Sequence, residues 1–345
     1  MIPIQNIYYM LSYAFQVLNE QGYKNIATEQ FNNTGELMAA ILEKGIAIQI
    51  KRGLGKEYIP QTEALSSLRG KIDIAESIKT QSMLRKQLIC TYDEFSVNSI
   101  MNRIIKSTVE LLLRSNISKQ RKKNLRKLMV YFSEVDFIDL YTVNWNVQYN
   151  RNNQTYRMLI SICYLVVKGL LQTQSNGHTK LMDFLDEQRM CRLYEKFILE
   201  YYRREFKNQI TANASQIPWQ LDNEENSMLP VMQSDIMLQS GEKVLIIDAK
   251  YYEHSTQVQF DKHTLHSGNL YQIFTYVKNK EYELREKDHT VSGMLLYAKT
   301  DEAIYPNNVY QMSGNQITVR TLDLNLPFDE IAGQLNTIAK THFDL

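Results

Sequence analysis

The stretch Ser234-Asp235-Ile236-Met237-Leu238, followed after a short break by Val244-Leu245-Ile246-Ile247-Asp248-Ala249-Lys250, decides how this chain is read. Two apolar runs flank Ser240-Gly241, a turn signal, and so read as a β-hairpin. The second run has the composition of a buried strand, yet it holds one carboxylate and ends on a lysine. Desolvating an unpaired aspartate is costly, so Asp248 needs a cation or a set of hydrogen bonds. With the turn centred on Ser240-Gly241, Asp235 faces Ile246. Side chains alternate faces along a strand, which places Asp235, Ile246, Asp248 and Lys250 on one face. Asp235 and Asp248 become diagonal neighbours, roughly 6–8 Å apart at the backbone, and their carboxylates can converge on one divalent ion. Hard oxygen donors with no His or Cys nearby suit Mg²⁺ or Mn²⁺ rather than zinc. Such an ion polarises a phosphate and activates a water. Lys250 would orient that water or offset charge developing on the phosphate. A plain buried salt bridge between Asp248 and Lys250 stays open on the hairpin alone.

Two helices on either side of the hairpin add candidates. The segment from Cys191 to Phe206 carries an apolar stripe of Leu193, Tyr194, Phe197, Ile198 and Tyr201, preceded by Met190, with Glu195 at its margin. Glu195 can lean into the site or stay a surface residue. Downstream, Gln272 and Tyr276 are spaced i and i+4, on one helix face. A carboxamide and a phenol there can hold a phosphate backbone, or simply pack.

Further from the hairpin, helical spacing marks about 6–18, 35–48, 98–114, 118–132 and 155–171. Between Lys51 and Tyr92 the pattern is short and irregular, with candidate strands near Tyr58, Lys71–Ile74 and Leu88–Tyr92 and breaks at Gly53, Gly55, Pro60 and Gly70. Asn176-Gly177-His178 interrupts the chain, and the domain boundary is expected between 150 and 185. Beyond it come a helix at 187–206, a loop with Pro218 and Pro230, the hairpin strands at 231–238 and 243–250, and a helix at 268–280. A strand at 291–298, a hairpin at 309–324 turning at Gly314-Asn315, and a helix at 328–342 follow. The expected organisation is an α+β N-terminal domain over 1–170, helices with a small β region, followed by an α/β domain over 180–345.

Composition excludes several classes. With 345 residues, 44% hydrophobic and 22% charged, the chain reads as an ordinary globular protein of two domains. Its 22 tyrosines suit stacking surfaces as well as cores. A net charge of +1 gives no global basic field, so contact with nucleic acid must come from local patches or a second subunit. Cys90, Cys163 and Cys191 are scattered and form no CxxC pair, which argues against a disulfide framework or a four-cysteine cluster and for a reducing compartment. Met1-Ile2-Pro3-Ile4-Gln5-Asn6 lacks the marks of a signal peptide. The longest apolar stretch, Leu159 to Leu171, is interrupted by Lys168 and too short for a bilayer. A cytoplasmic protein without membrane contact is the expectation.

Taken in order, Glu195, Asp235, Asp248-x-Lys250, Gln272 and Tyr276 resemble the PD-(D/E)xK nuclease superfamily, in the branch with a helical Gln and Tyr. In that motif the residue before the first aspartate is proline, whereas here it is Ser234. The likeness extends along the chain. Ile2 to Ala14, Arg52-Gly53-Leu54, Gly70-Lys71-Ile72, Asn102 to Thr108, Leu193-Tyr194-Glu195-Lys196-Phe197, Asp248-Ala249-Lys250-Tyr251-Tyr252 and His266-Ser267 are similar to the McrC family. That family provides the nuclease subunits of McrBC modification-dependent restriction systems. The resemblance implies a DNA endonuclease with catalytic Asp235, Asp248, Lys250, Glu195, Gln272 and Tyr276, and with Mg²⁺ or Mn²⁺ held by Asp235, Asp248, Glu195 and Ala249. It also implies a partner, a McrB-like AAA+ ring that hydrolyses GTP, reads methylated cytosine in DNA and is stimulated by this subunit. The N-terminal half would dock on the ring, through its glycine-punctuated β segment with Arg52, Lys56, Arg69 and Lys71.

Gly55-Lys56-Glu57 and Gly70-Lys71-Ile72 both lack the rest of a P-loop, so no nucleotide site is expected there. Lys119 to Lys127 holds six basic residues in nine, which reads as a solvated helix face or as a contact for phosphates or an acidic partner. His263 and His266 form an HxxH without further ligands, a weak metal signal. An inert adaptor with the same fold and a stand-alone repair nuclease are the competing readings. Intact Asp235, Asp248 and Lys250 argue against the first, and the long N-terminal half argues against the second.

Overall fold

The computed structural model describes residues 2–19, 33–150, 155–175, 187–223, 228–252, 257–259, 262–299 and 305–345, with isolated positions 23, 26, 29, 31 and 153. The expected break at Asn176-Gly177-His178 lies outside them. The chain divides into two compact units, one of Met1–Ala27 with Leu185–Leu345 and one of Thr28–Phe184. The expected N-terminal domain of 1–170 therefore gives up its first segment. Helix α1 (Ile4–Ala14) belongs with the C-terminal residues. Its buried Asn6 donates to the carbonyls of Leu324 and Leu326, both at 2.8 Å. Tyr9 stacks on Phe328 with ring centroids 4.4 Å apart, and Tyr13 donates to Glu205 Oε1 at 2.9 Å. Helical periodicity identifies α1 but cannot say which partner buries its apolar stripe.

The unit Thr28–Phe184 contains α2 (Thr34–Arg52), β1 (Glu57–Leu65), β2 (Lys71–Asp73), α3 (Ile74–Lys79), β3 (Leu88–Ser96), α4 (Ile100–Arg114), α5 (Lys119–Met129) and α6 (Tyr156–Ser175). Asn33 caps α2 by accepting from the Glu36 N–H, and Gly53 ends it at φ +91°. The irregular segment is a three-stranded antiparallel sheet, β1-β3-β2. At its root Asn102 donates to the Gly55 and Val97 carbonyls, while Tyr156 donates to Asn102 Oδ1 at 2.8 Å and accepts from the Gly55 N–H at 2.7 Å. This network satisfies the buried Asn102 on every side.

In the other unit follow α7 (Glu187–Glu205), β4 (Thr211–Asn213), β5 (Gln216–Ile217), β6 (Met232–Gln233), β7 (Ile236–Ser240), β8 (Lys243–Lys250), β9 (Gln257–Gln259), β10 (Lys262–Thr264), α8 (Ser267–Leu284), β11 (Thr290–Ala298), β12 (Asn308–Met312), β13 (Asn315–Leu322) and α9 (Phe328–Phe343). A six-stranded mixed sheet runs in the order β12-β13-β11-β8-β7-β4. Strand β11 is parallel to both β8 and β13, and β7 is antiparallel to β8. Helix α8 covers one face, where Ile273 and Val277 pack with Val244, Ile246, Leu295 and Ile317. Gly293 lets it approach closely: a Cβ there would lie 2.8 Å from Ile273 and 2.9 Å from Val277. Among the described residues no helix is long and apolar enough to cross a membrane.

The hairpin register departs from the expectation by two residues. Ser240 pairs with Lys243 and Ile236 with Ile247, across a two-residue turn of Gly241-Glu242 with Gly241 at φ +57°. Continued one step past the last pair, this register would set Asp235 against Asp248 rather than Ile246, but Asp235 itself lies in a bend ahead of β7. A shift of two preserves the face of every side chain. Asp248 and Lys250 therefore share one face of β8, while Asp235 falls in the bend before β7, beyond the paired residues.

Candidate active site

Strand β8 places Asp248 and Lys250 on the α8 face at its carboxyl end, a common position for sites in α/β sheets. Asp248 is 1% exposed. Lys250 Nζ lies 2.9 Å from each of its carboxylate oxygens and donates to Oδ1, while Oδ2, also buried, accepts no hydrogen bond. The same ammonium donates to Gln272 Oε1 at 3.3 Å, and the Gln272 amide donates to the Tyr276 hydroxyl at 2.9 Å. The i, i+4 pair thus completes a polar chain from the strand to α8.

Asp235 precedes β7 and turns its carboxylate onto β8, where Oδ2 accepts from the Ala249 N–H at 3.0 Å. In an extended strand a residue's N–H and C=O point to the same side. The Ala249 carbonyl therefore faces Asp235 too, past the last pair of the ladder. Ser234 explains the missing proline. Its N–H and hydroxyl both donate to the Ser215 carbonyl, at 3.0 and 3.1 Å, and proline would lose the first bond.

Glu195 sits half-buried on α7, where the Cys191 thiol donates to Oε1 at 3.0 Å. Burial pushes the Glu195 carboxyl up, and the like charge of Asp235 adds to the rise. Burial also pushes Asp248 up, against the pull of Lys250 and with a further push from Asp235. For Lys250 burial acts downward, but the carboxylates of Asp248 and Asp235 outweigh it and leave the ammonium raised. The Cys191 thiol is pushed up to about 12 by burial and by Glu195, which keeps it protonated and inert as a nucleophile.

In the observed side-chain positions, no three His, Cys, Asp or Glu residues among those described converge closely enough to hold a metal ion. Asp235 is turned onto a main-chain N–H and Lys250 covers Asp248. His266 stands at the N-cap position of α8, its ring 5.4 Å from Tyr252, in no metal-holding group among the described residues. Reading the sequence missed a second layer. Asn269 donates to the Tyr297 hydroxyl at 2.9 Å and accepts from the Tyr252 hydroxyl at 3.3 Å, and Tyr297 lies beside Lys250 on β11. Asn269 precedes Gln272 by three residues on the same helix face, the signal by which it can be found.

Fold and site together define a mixed α/β protein with a buried acid–lysine pair at the carboxyl end of a central strand. Comparison with known proteins adds its lineage. Residues 5–298 match the family model described as "McrBC 5-methylcytosine restriction system component", and the chain belongs to that family. It is 30% identical over 329 residues to the "Type IV methyl-directed restriction enzyme EcoKMcrBC" of Escherichia coli (strain K12), covering 94% of this chain and 93% of that one. Among solved structures it resembles a chain in an assembly of Thermococcus gammatolerans McrB AAA+ hexamers with bound McrC. That match has 18% identity, a TM-score of 0.49 and coverage of 97% of this chain and 76% of the other. A chain of the Thermococcus gammatolerans McrBC complex matches at 21% identity, with a TM-score of 0.42 and 59% of each chain covered.

Proposed function

We propose that this chain is the McrC-type nuclease subunit of a modification-dependent restriction complex, with a PD-(D/E)xK site that hydrolyses DNA phosphodiesters. The observation that carries the reading is the buried Asp248 paired with Lys250, continued through Gln272 to Tyr276. Burying a carboxylate is costly, and a buried acid–lysine pair continued by a polar chain is the mark of a functional site.

The donor set fits a hard divalent ion. Asp235, Asp248 and Glu195 offer only oxygen, Ala249 adds a main-chain carbonyl, and the Asp248 carboxylate is buried beside the Lys250 ammonium. Mg²⁺ or Mn²⁺ bound there would polarise the scissile phosphate and make a water acidic enough to attack. Lys250 then offsets negative charge on the phosphate and orients the attacking water. Gln272 and Tyr276 donate hydrogen bonds to phosphate oxygens and hold the strand in register.

The unit Thr28–Phe184 serves as the docking element for an AAA+ GTPase. Its three-stranded sheet exposes Tyr58 and Phe95, 72% and 55% accessible, as a ring pair 5.0 Å apart, and α3 exposes Ile74 and Ile78. Apolar surface of this kind suits burial against a partner. Strand cleavage of methylated duplex by the purified chain with Mg²⁺, with and without the GTPase and GTP, tests the whole reading. Cleavage that needs the complex and GTP supports it. A complex that hydrolyses GTP without cutting DNA points to the inert adaptor.

A further inference from the structure

We infer that the outer face of α5 is a contact for the phosphate backbone of duplex DNA, separate from the residues that cut it; this rests on the proposed DNA substrate. The basic run of Lys119 to Lys127 divides in the structure. Arg121 turns inward, pairing with Glu29 at 2.8 Å, Glu36 at 3.3 Å and Glu43 at 2.9 Å. Leu125 beside it is fully buried, and the Ser118 N–H and hydroxyl both donate to Glu36 at the helix start. These contacts fix the rotation of α5 about its axis.

The rotation exposes Lys119, Lys123, Arg126 and Lys127, with half-buried Lys122 at their edge, at spacings of three and four that form one stripe. None of the five makes an ion pair among the described residues. The stripe runs about 12 Å along the helix at 1.5 Å per residue. Exposed Val130 and Tyr131 lie just past its end. In a chain of net charge +1, five cations on three turns of helix, without an ion pair among the described residues, are a local concentration rather than general solubility.

Charge complementarity selects the occupant. Duplex DNA offers about one negative charge per 1.7 Å of axis, so a stripe of this length meets several phosphates without needing a matched set of acidic side chains. Lysine-rich contacts of this type position a duplex and carry no sequence information.

The test uses the full chain without divalent ion, so that DNA is bound and not cut. Binding of a fluorescent duplex is measured by anisotropy over a series of salt concentrations. Replacing all five cations by glutamine should flatten the slope of log affinity against log salt by up to roughly 4.5, about 0.9 per lost phosphate contact. Replacing the four lysines by arginine should keep the slope, and an unchanged circular dichroism melt verifies that both variants fold. A wild-type slope in the glutamine variant overturns the inference, as does a wild-type chain with no salt-dependent affinity for DNA. So does a glutamine variant that keeps DNA affinity but no longer binds the GTPase, since the face then belongs to an acidic protein surface. Loss of cleavage in an Asp248→Asn chain that keeps the full salt slope separates this surface from the site itself.

Discussion

Asp235 and Ala249 are joined across β7 and β8 by a hydrogen bond from the Ala249 N–H to Asp235 Oδ2, 3.0 Å long. This contact lies just past the last ladder pair, Ile236–Ile247, and gives a candidate ligand a structural role as well. Asparagine at 235 can still accept that bond through its carbonyl, whereas alanine leaves the N–H without it. Asp235→Ala is therefore expected to lose about 1–2 kcal/mol of stability, and Asp235→Asn much less. Both should lose cleavage, because both remove the charge. Denaturant unfolding beside a cleavage assay reads the two effects apart.

The Asp248–Lys250 pair makes a second test. Removing one partner of a buried ion pair strands the other, at a cost of roughly 3 kcal/mol. Asp248→Ala should be destabilised by that order, and Asp248→Ala with Lys250→Met should recover much of the loss. A double variant no more stable than the single one would show that Lys250 is held by Gln272 and Asp235 instead.

Much of this site was legible in the residues themselves, and the reasons are physical. Asp248 stood out because a carboxylate among five apolar residues needs compensation, and alternation along β8 fixed its face with Lys250. That Asp235 lies beside β8 was legible too, although the register was not. Both registers keep the alternation, and only the backbone of Gly241 at positive φ selects between them. The Asn269–Tyr297 contact spans an interval no local pattern reports. The assignment of α1 to the C-terminal unit was equally hidden, since an amphipathic stripe names no partner. Arg121 shows the limit best: inside a basic run it looks like its neighbours, and only three carboxylates from distant positions mark it as structural.

pH dependence follows from the raised Asp248. A carboxyl that binds its proton more tightly in the folded state contributes stability that is present below the ordinary aspartate range. That stability is lost as pH rises through the raised value. The metal-free chain is therefore expected to lose thermal stability between about pH 4 and about pH 7, with a shallower loss in Asp248→Asn. Added Mg²⁺ should stabilise the wild-type chain more at the higher pH, where the carboxylates are ionised. Equal slopes in both chains would assign the titration elsewhere.

Fragments test the division of the chain. Residues 180–345 alone lack α1, so Phe197 and Tyr201 lose Tyr13 and the carbonyls of Leu324 and Leu326 lose Asn6. That fragment is expected to aggregate or melt early, and joining 1–27 to 185–345 should restore a cooperative transition. Calorimetry of the two fragments decides it, and an equally stable 180–345 would contradict the unit boundaries.

The most direct measurement is strand cleavage by full-length Asp248→Asn with Mg²⁺, GTP and the AAA+ partner, taken together with the rate of GTP hydrolysis. Asparagine keeps the shape of the buried side chain and removes the charge that would hold the ion. Cleavage should fall on the order of 10³-fold or more, with stimulation of GTP hydrolysis unchanged. Cleavage at the wild-type rate would contradict the assignment of the active site.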